Sequence, residues 1–284
     1  MSTVQLVAID LDGTLLNPYG IVSEENKKAI TKARETGMRI VIATGRSVHS
    51  ALRKLEHCEV DGLVTCNGTV WLDPQGKVIK EYCFTNKEML MLSNWLQKER
   101  IFFEAFTNDG YVVTNNSVKR YWSYFHMAHP YRSLKHIFTF IGEMRQFQQQ
   151  WVSFKRYPID TTKYVKVFAW DKDEDKLKRI RERVPNELDV HITDSGQNIE
   201  IIPKSCSKYR MIHHLAESWK IPDTGIAAIG DSNNDREMLI DSHIGIAMGN
   251  ASDELKALSN WTTKTNAEDG VAYAIECLLK ENKE

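Results

Sequence analysis

Along the first third of the chain, apolar residues fall in short continuous runs, each closed by a small polar loop and then followed by a segment of helical period. Residues 4–9 make the first run, which stops at Asp10. Beyond the loop, Ser23 suits a helix N-cap, Glu24 and Glu25 suit the first turn, and Gly37 suits the stop, so the pattern predicts a helix over residues 24–36. Residues 38–43, MRIVIA, read as a buried parallel strand ending at Thr44, Gly45 and Arg46. A second helix, over about 48–57, leads to a third strand, 63–66, which ends at Asn67, Gly68 and Thr69. Strands alternating with helices predict an α/β fold, a doubly wound parallel sheet with its site along the strands' carboxyl ends.

The rhythm then changes. Residues 70–72 and 78–84 flank the turn Asp73, Pro74, Gln75, Gly76, a hairpin signal. Thr85 and Glu88 form a capping-box pattern ahead of an amphipathic helix with Met89, Leu92, Trp95 and Leu96 on one face. Strands over 101–106 and 111–114 flank Asn108, Asp109 and Gly110, and an aromatic-rich stretch without clear period runs to about 158. A strand over 164–170, a charged helix over 174–184 and a strand over 188–193 follow. The alternating rhythm is expected to resume with a strand over 199–202 and a helix from Lys208 to about 219. Strand 225–229, a helix through Leu239, strand 243–247 and a closing helix over 271–280 complete the pattern. The organisation expected is a core of residues 1–84 and 193–284, interrupted by an inserted α/β cap of residues 85–192.

Composition narrows the class. The 284 residues exceed one typical core, and 37 basic against 38 acidic residues give a net charge of -1, which supports neither nucleic-acid nor membrane-surface binding. Nothing is long and apolar enough to span a bilayer, and the first apolar run meets Asp10 and Asp12 too soon for a signal peptide. Five cysteines, without paired metal spacing, point to free thiols in a reducing compartment, and the expectation is a cytoplasmic protein.

The chemistry gathers at strand ends. Asp10 and Asp12 flank Leu11 at strand period, so both carboxylates project from one side where the first strand stops. Gly13 permits a tight turn and Thr14 offers a hydroxyl to tie the loop down. Two carboxylates this close repel unless a cation or a shared proton relieves them. At the end of the strand over 225–229 stands GDSNND, residues 230–235, in which Asp231 and Asp235 lie four apart at a helix start and can face one point. Together with Asp10 and Asp12, they suit an all-oxygen site for a hard cation such as Mg²⁺.

DLDGT at residues 10–14, ATGR at 43–46, the lysine near 208 and GDSNND at 230–235 resemble, in order and context, the four motifs of the haloacid dehalogenase-like superfamily of phosphohydrolases. The long insertion between the second and third motifs resembles that of the Cof-type, sugar-phosphatase-like branch with a mobile α/β cap. The resemblance implies that Asp10 is the nucleophile and Asp12 the general acid/base, whose backbone carbonyl also helps hold the metal. It further implies that Asp231, supported by Asp235, completes a Mg²⁺ site, and that Thr44, Gly45, Lys208 and Asn234 hold the phosphoryl group. Lys204 and Lys208 are both candidates for the third-motif lysine, because Tyr209 stands where the family usually has glycine; Lys208 is favoured, since it opens a helix.

The expected activity is Mg²⁺-dependent hydrolysis of small phosphorylated metabolites, sugar phosphates or similar monoesters, through an aspartyl-phosphate. A phosphomutase or phosphotransferase would use the same intermediate, and a regulator that only binds a phosphometabolite is a third class. Residues 85–192 carry 18 Lys and Arg against 13 Asp and Glu, a basic balance that could attract a phosphorylated substrate to an acidic, metal-loaded core. Within them, Trp95 has core spacing, whereas Trp122, among Tyr121, Tyr124 and Phe125, is a candidate to stack on a sugar or heterocycle. Hinges are expected near 84–85 and 193–196.

Overall fold

The structure, a computed structural model, describes residues 3–55, 57–114, 151–152, 154–171, 173–185, 187–194 and 198–282. The chain divides into two compact units, residues 1–82 with 205–284, and residues 83–204. The expected boundaries stood at 84/85 and 192/193.

The first unit is built on an eight-stranded sheet. Its strands are β1 (Leu6–Ile9), β2 (Arg39–Ala43), β3 (Gly62–Thr65), β4 (Val70–Leu72), β5 (Val78–Glu81), β12 (Ile226–Gly230), β13 (Ile244–Ala247) and β14 (Trp261–Thr262), in spatial order β14-β13-β12-β1-β2-β3-β4-β5. β14 through β3 run parallel, and β4 and β5 add an antiparallel edge. β1 is buried at every position, as a strand covered on both faces must be. It lies between β2 and β12, with Ile9 paired to Ile42 on one side and Ile229 on the other, so three loops emerge side by side at one sheet edge.

Helix Glu24–Glu35 follows the expected signals: Ser23 accepts from the Asn26 amide, acidic residues occupy its first turn and basic residues its last. Lys208–Ser218 opens on Ser207, which accepts from the Arg210 amide, and buries Met211, Ile212 and Leu215 against β1, β2, β3 and β12. These apolar positions are three and four apart, and their burial, rather than helix propensity, holds the element.

The second unit carries a six-stranded sheet, with β6 (Phe102–Thr107), β7 (Val112–Thr114), β8 (Trp151–Val152), β9 (Tyr164–Trp170), β10 (Val190–Asp194) and β11 (Asn198–Pro203) in the order β10-β11-β9-β6-β7-β8. All its pairings are antiparallel except β7 with β8. Helix Asn86–Lys98 begins with the expected capping box, Thr85 and Glu88 bonding each other's backbone amides, and joins helix Glu174–Glu182 over one face. Trp95 packs against that core, as its spacing predicts.

One strand departs from the expectation. Residues 199–202 do not resume the first sheet; β11 pairs antiparallel with both β9 and β10 in the second. A four-residue segment of three isoleucines and one glutamate carries no mark of which sheet will receive it, and here hairpin closure with β10 over a short connection decides. Trp122, Tyr121, Tyr124 and Phe125 lie outside the described residues, as do residues 195–196 of the expected hinge.

Candidate active site

Asp10 follows β1 with extended backbone, its amide still donating to the Ile229 carbonyl at 2.9 Å, and the chain leaves the sheet beyond it. A wide turn, closed by Leu15 N–H to the Asp10 carbonyl at 3.2 Å and Leu16 N–H to the Leu11 carbonyl at 2.9 Å, carries Asp12, Gly13 and Thr14 past the sheet edge. Gly13 sits at φ +79°, and a Cβ there would lie 2.4 Å from Asp231 Oδ2. Glycine is therefore required both for the left-handed backbone and to let the Asp231 carboxylate approach. Thr14 does tie the loop, donating from its hydroxyl to Asp231 Oδ1 at 2.6 Å, and Asn250 Nδ2 donates to the Gly13 carbonyl at 2.9 Å.

Lys208 is the hub. Its Nζ lies 2.6 Å from Asp10 Oδ1, 2.6 Å from Asp235 Oδ1 and 3.5 Å from Asn234 Oδ1. Asp10, Lys208 and Asp235 are all buried. The other oxygen of Asp235 accepts the backbone N–H groups of Asp231 and Ser232, each at 3.0 Å, which shapes the loop presenting Asp231. Lys204 is elsewhere: exposed, it pairs with Asp189 at 2.9 Å within the second unit. The two lysines are four positions apart, and only the one inside the helix turns inward.

One oxygen from each of Asp10, Asp231 and Asp235 falls within 4.8 Å of the others. Burial pushes the Asp10 carboxyl well above the usual carboxylate range, reinforced by Asp235 and Asp231 and opposed by Lys208. Asp231 is pushed up to about 6, first by burial and then by Asp235 and Asp12, against the Thr14 hydroxyl and Lys208. Burial works against the Lys208 ammonium, yet Asp10 and Asp235 more than offset it and hold its pKa above the lysine range. Three carboxylates facing one ammonium leave negative charge that protons or a cation must relieve, and the donor set is all oxygen. These residues fit a hard divalent ion such as Mg²⁺.

Asp12 stands apart from this trio. Half exposed, it is gripped by Arg46, whose Nε lies 2.6 Å from Oδ2 and whose Nη2 lies 2.7 Å from Oδ1. Thr44, buried at the end of β2, accepts the Arg46 amide on its hydroxyl oxygen at 3.2 Å, and Gly45 lies between them. The loop after β3 meets both neighbours: Cys66 N–H donates to the Arg46 carbonyl and Asn67 N–H to the Thr44 carbonyl. Cys66, Asn67 and Gly68 hold consecutive positive φ angles of 51°, 58° and 95°.

The structure thus brings Asp10, Lys208, Asn234, Asp231 and Asp235 together, with Asp12 and Thr44 on the adjoining loops joined through Arg46. Sequence reasoning missed Arg46 as a partner of Asp12, although ATGR placed a guanidinium in a strand-end loop. It also missed the left-handed turn at Cys66, Asn67 and Gly68, for which Asn67-Gly68 was the available signal.

Comparison with known proteins gives the family. The family model for haloacid dehalogenase-like hydrolases matches residues 7–275. The chain is 32% identical to the 5-amino-6-(5-phospho-D-ribitylamino)uracil phosphatase YwtE of Bacillus subtilis (strain 168), over 97% of this chain and 98% of that protein. It is 27% identical to the pyridoxal phosphate phosphatase YbhA of Escherichia coli (strain K12), over 96% and 98%. A solved haloacid dehalogenase-like hydrolase from B. subtilis has the same fold, with TM-score 0.83 and 28% identity over 96% of this chain and 99% of that one. A family match spanning nearly the whole chain and a relative alike from end to end place this protein among the haloacid dehalogenase-like hydrolases, in their Cof-type branch.

Proposed function

We propose that this protein is a Mg²⁺-dependent phosphatase acting on small phosphorylated metabolites, sugar phosphates or similar monoesters, through an aspartyl-phosphate on Asp10. The observation that carries this reading is Lys208 Nζ, 2.6 Å from both Asp10 and Asp235, beside the Asp10, Asp231 and Asp235 trio. A buried ammonium against a buried carboxylate supplies the charge relief that an anionic nucleophile needs to approach an anionic phosphate.

In the first step an Asp10 oxygen bonds to phosphorus and the bond to the bridging oxygen breaks, while Asp12 gives its proton to the departing alkoxide. In the second, Asp12 takes a proton from water as the water oxygen bonds to phosphorus and the Asp10 oxygen leaves. On this reading Lys208 and Asn234 would hold phosphoryl oxygens, with the Thr44 hydroxyl and the Gly45 backbone N–H as further donors. Mg²⁺ held by Asp10 and Asp231, with Asp235 supporting, would polarise the phosphoryl group and offset carboxylate repulsion. The relatives named above, phosphatases of a ribitylaminouracil phosphate and of pyridoxal phosphate, support a small organic phosphomonoester as substrate. Among the described residues no helix is long and apolar enough to cross a membrane.

The test is release of inorganic phosphate from 4-nitrophenyl phosphate and from a panel of phosphorylated metabolites, with Mg²⁺ and with chelator, by the native chain and by Asp10→Asn. The expected result is Mg²⁺-dependent release that Asp10→Asn abolishes while remaining folded. Substantial turnover by that variant would overturn the reading. Phosphate passing to an added sugar in preference to water would replace it with the phosphotransferase.

A further inference from the structure

The Arg46–Asp12 pair is too exposed to be explained by stability. The Asp12 side chain is 53% exposed and that of Arg46 29%, and ion pairs in that setting contribute roughly 0–1 kcal/mol. Its geometry is nevertheless specific. Arg46 uses the Nε and Nη2 edge of its guanidinium for a bidentate grip on both Asp12 oxygens, and its remaining terminal nitrogen, Nη1, donates to Ser50 Oγ at 2.8 Å. The backbone is fixed as well: its amide is held by Thr44 Oγ1 and its carbonyl accepts the Cys66 amide at 2.9 Å. A planar fork anchored at three points can present its donors in only one plane, which is what lysine could not do.

The grip has a direct consequence for Asp12. Both of its oxygens face N–H donors and it is not one of the carboxylates gathered around a common point, which are Asp10, Asp231 and Asp235. A carboxyl group that must hand a proton to a leaving oxygen, and later collect one from water, needs one oxygen free and a defined direction for it. A fork that keeps one oxygen while the other is released supplies both.

We infer that Arg46 is a positioning residue for Asp12, aligning its carboxyl group for proton transfer to and from the departing and attacking oxygens. The inference rests on the reading of Asp12 as general acid/base. Arg46 acts only through Asp12, so its effect depends on how much the leaving group needs a proton. Alkyl phosphates need one, whereas 4-nitrophenyl phosphate, whose phenolate leaves readily, needs little.

The experiment measures kcat/KM for aryl and alkyl phosphates of graded leaving-group pKa with the native chain, Asp12→Asn, Arg46→Gln, Arg46→Lys and the Asp12→Asn/Arg46→Gln double variant, each with its Tm. General acid catalysis is worth about 10²–10⁴-fold, so Asp12→Asn steepens the dependence on leaving-group pKa by that order for alkyl esters. Arg46→Gln is expected to lower alkyl phosphate turnover at least tenfold more than 4-nitrophenyl phosphate turnover. Arg46→Lys is expected to fall between Arg46→Gln and native, and the double variant to match Asp12→Asn alone, since the two residues act as one unit. A uniform fall across leaving groups, no fall, or additive losses in the double variant would overturn the inference. If Asp12→Asn itself leaves the slope unchanged, the acid/base reading fails and Arg46 has no role to support. The Asp10→Asn result would still stand.

Discussion

Lys208 Nζ sits 2.6 Å from Asp10 Oδ1 although 198 residues separate them, and the contact is buried on both sides. The ammonium comes from the first turn of a helix packed behind the sheet, the carboxylate from the end of the central strand. Neither charge is tolerable there alone. Removing one partner of a buried pair leaves the other uncompensated, and the cost is of order 3–5 kcal/mol.

Lys208→Ala should therefore cost on the order of a hundredfold or more in kcat, the range for loss of one preorganised charge donor, with a lowered Tm. Lys204→Ala, which removes an exposed pair with Asp189, should change kcat by less than about threefold. Steady-state kinetics on the two variants decides, and the reverse ranking would move the third motif.

Mg²⁺ binding should strengthen as pH rises through about 6. In the metal-free protein the Asp231 carboxyl titrates at about 6, above its unfolded value of about 3.9, so between those values the native state holds the extra proton. Stability of the chelated protein then falls as pH rises from about 4 to about 6, and Asp10, raised in the same direction, contributes with the same sign. A cation competes with the same protons, so the rise in Tm on adding Mg²⁺ should be larger at pH 7 than at pH 5. A Mg²⁺ effect independent of pH would argue against these carboxylates as ligands.

Gly68→Ala should damage the site without touching a charged group. Gly68 has φ +95°, and a Cβ there would come within 2.0 Å of the Ser207 carbonyl oxygen, one residue before Lys208. The left-handed backbone alone costs about 1–2 kcal/mol for a residue with a Cβ, and relief of the clash requires the start of the lysine helix to shift. The expected outcome is a Tm lower by several degrees together with a kcat loss on every substrate; unchanged kcat would mean that the helix start accommodates the methyl group.

In the second unit, Lys166 and Glu200 form a buried ion pair across β9 and β11. Glu104, on β6, has its pKa pushed up to about 7 by burial, with Lys166 the counterweight. Lys166→Met should destabilise this unit by about 3 kcal/mol because it strands Glu200, while Lys166→Met/Glu200→Leu should recover much of the loss. Thermal unfolding of the single and double variants checks the ordering.

Much of this protein was legible in its sequence because the signals are local. Continuous apolar runs mark buried parallel strands, and the capping patterns at Ser23 and Thr85 mark helix starts, since each depends on residues within one turn. The four acidic positions, Asp10, Asp12, Asp231 and Asp235, stood out because period and strand ends dictate which side chains share a direction. What only the tertiary structure decided depends on partners far along the chain. The isoleucine-rich segment at 199–202 suits either sheet until a neighbouring strand claims it, and β14 is two residues long, too short for any period. Sequence sets Lys208 apart from Lys204 only by the helix that it opens; the packing of one helix face sends Lys208 into the carboxylates and leaves Lys204 in water. Arg46 meets Asp12 across 34 residues because β1 and β2 are neighbours, and a bidentate ion pair of that kind is a product of strand order, which no local pattern encodes.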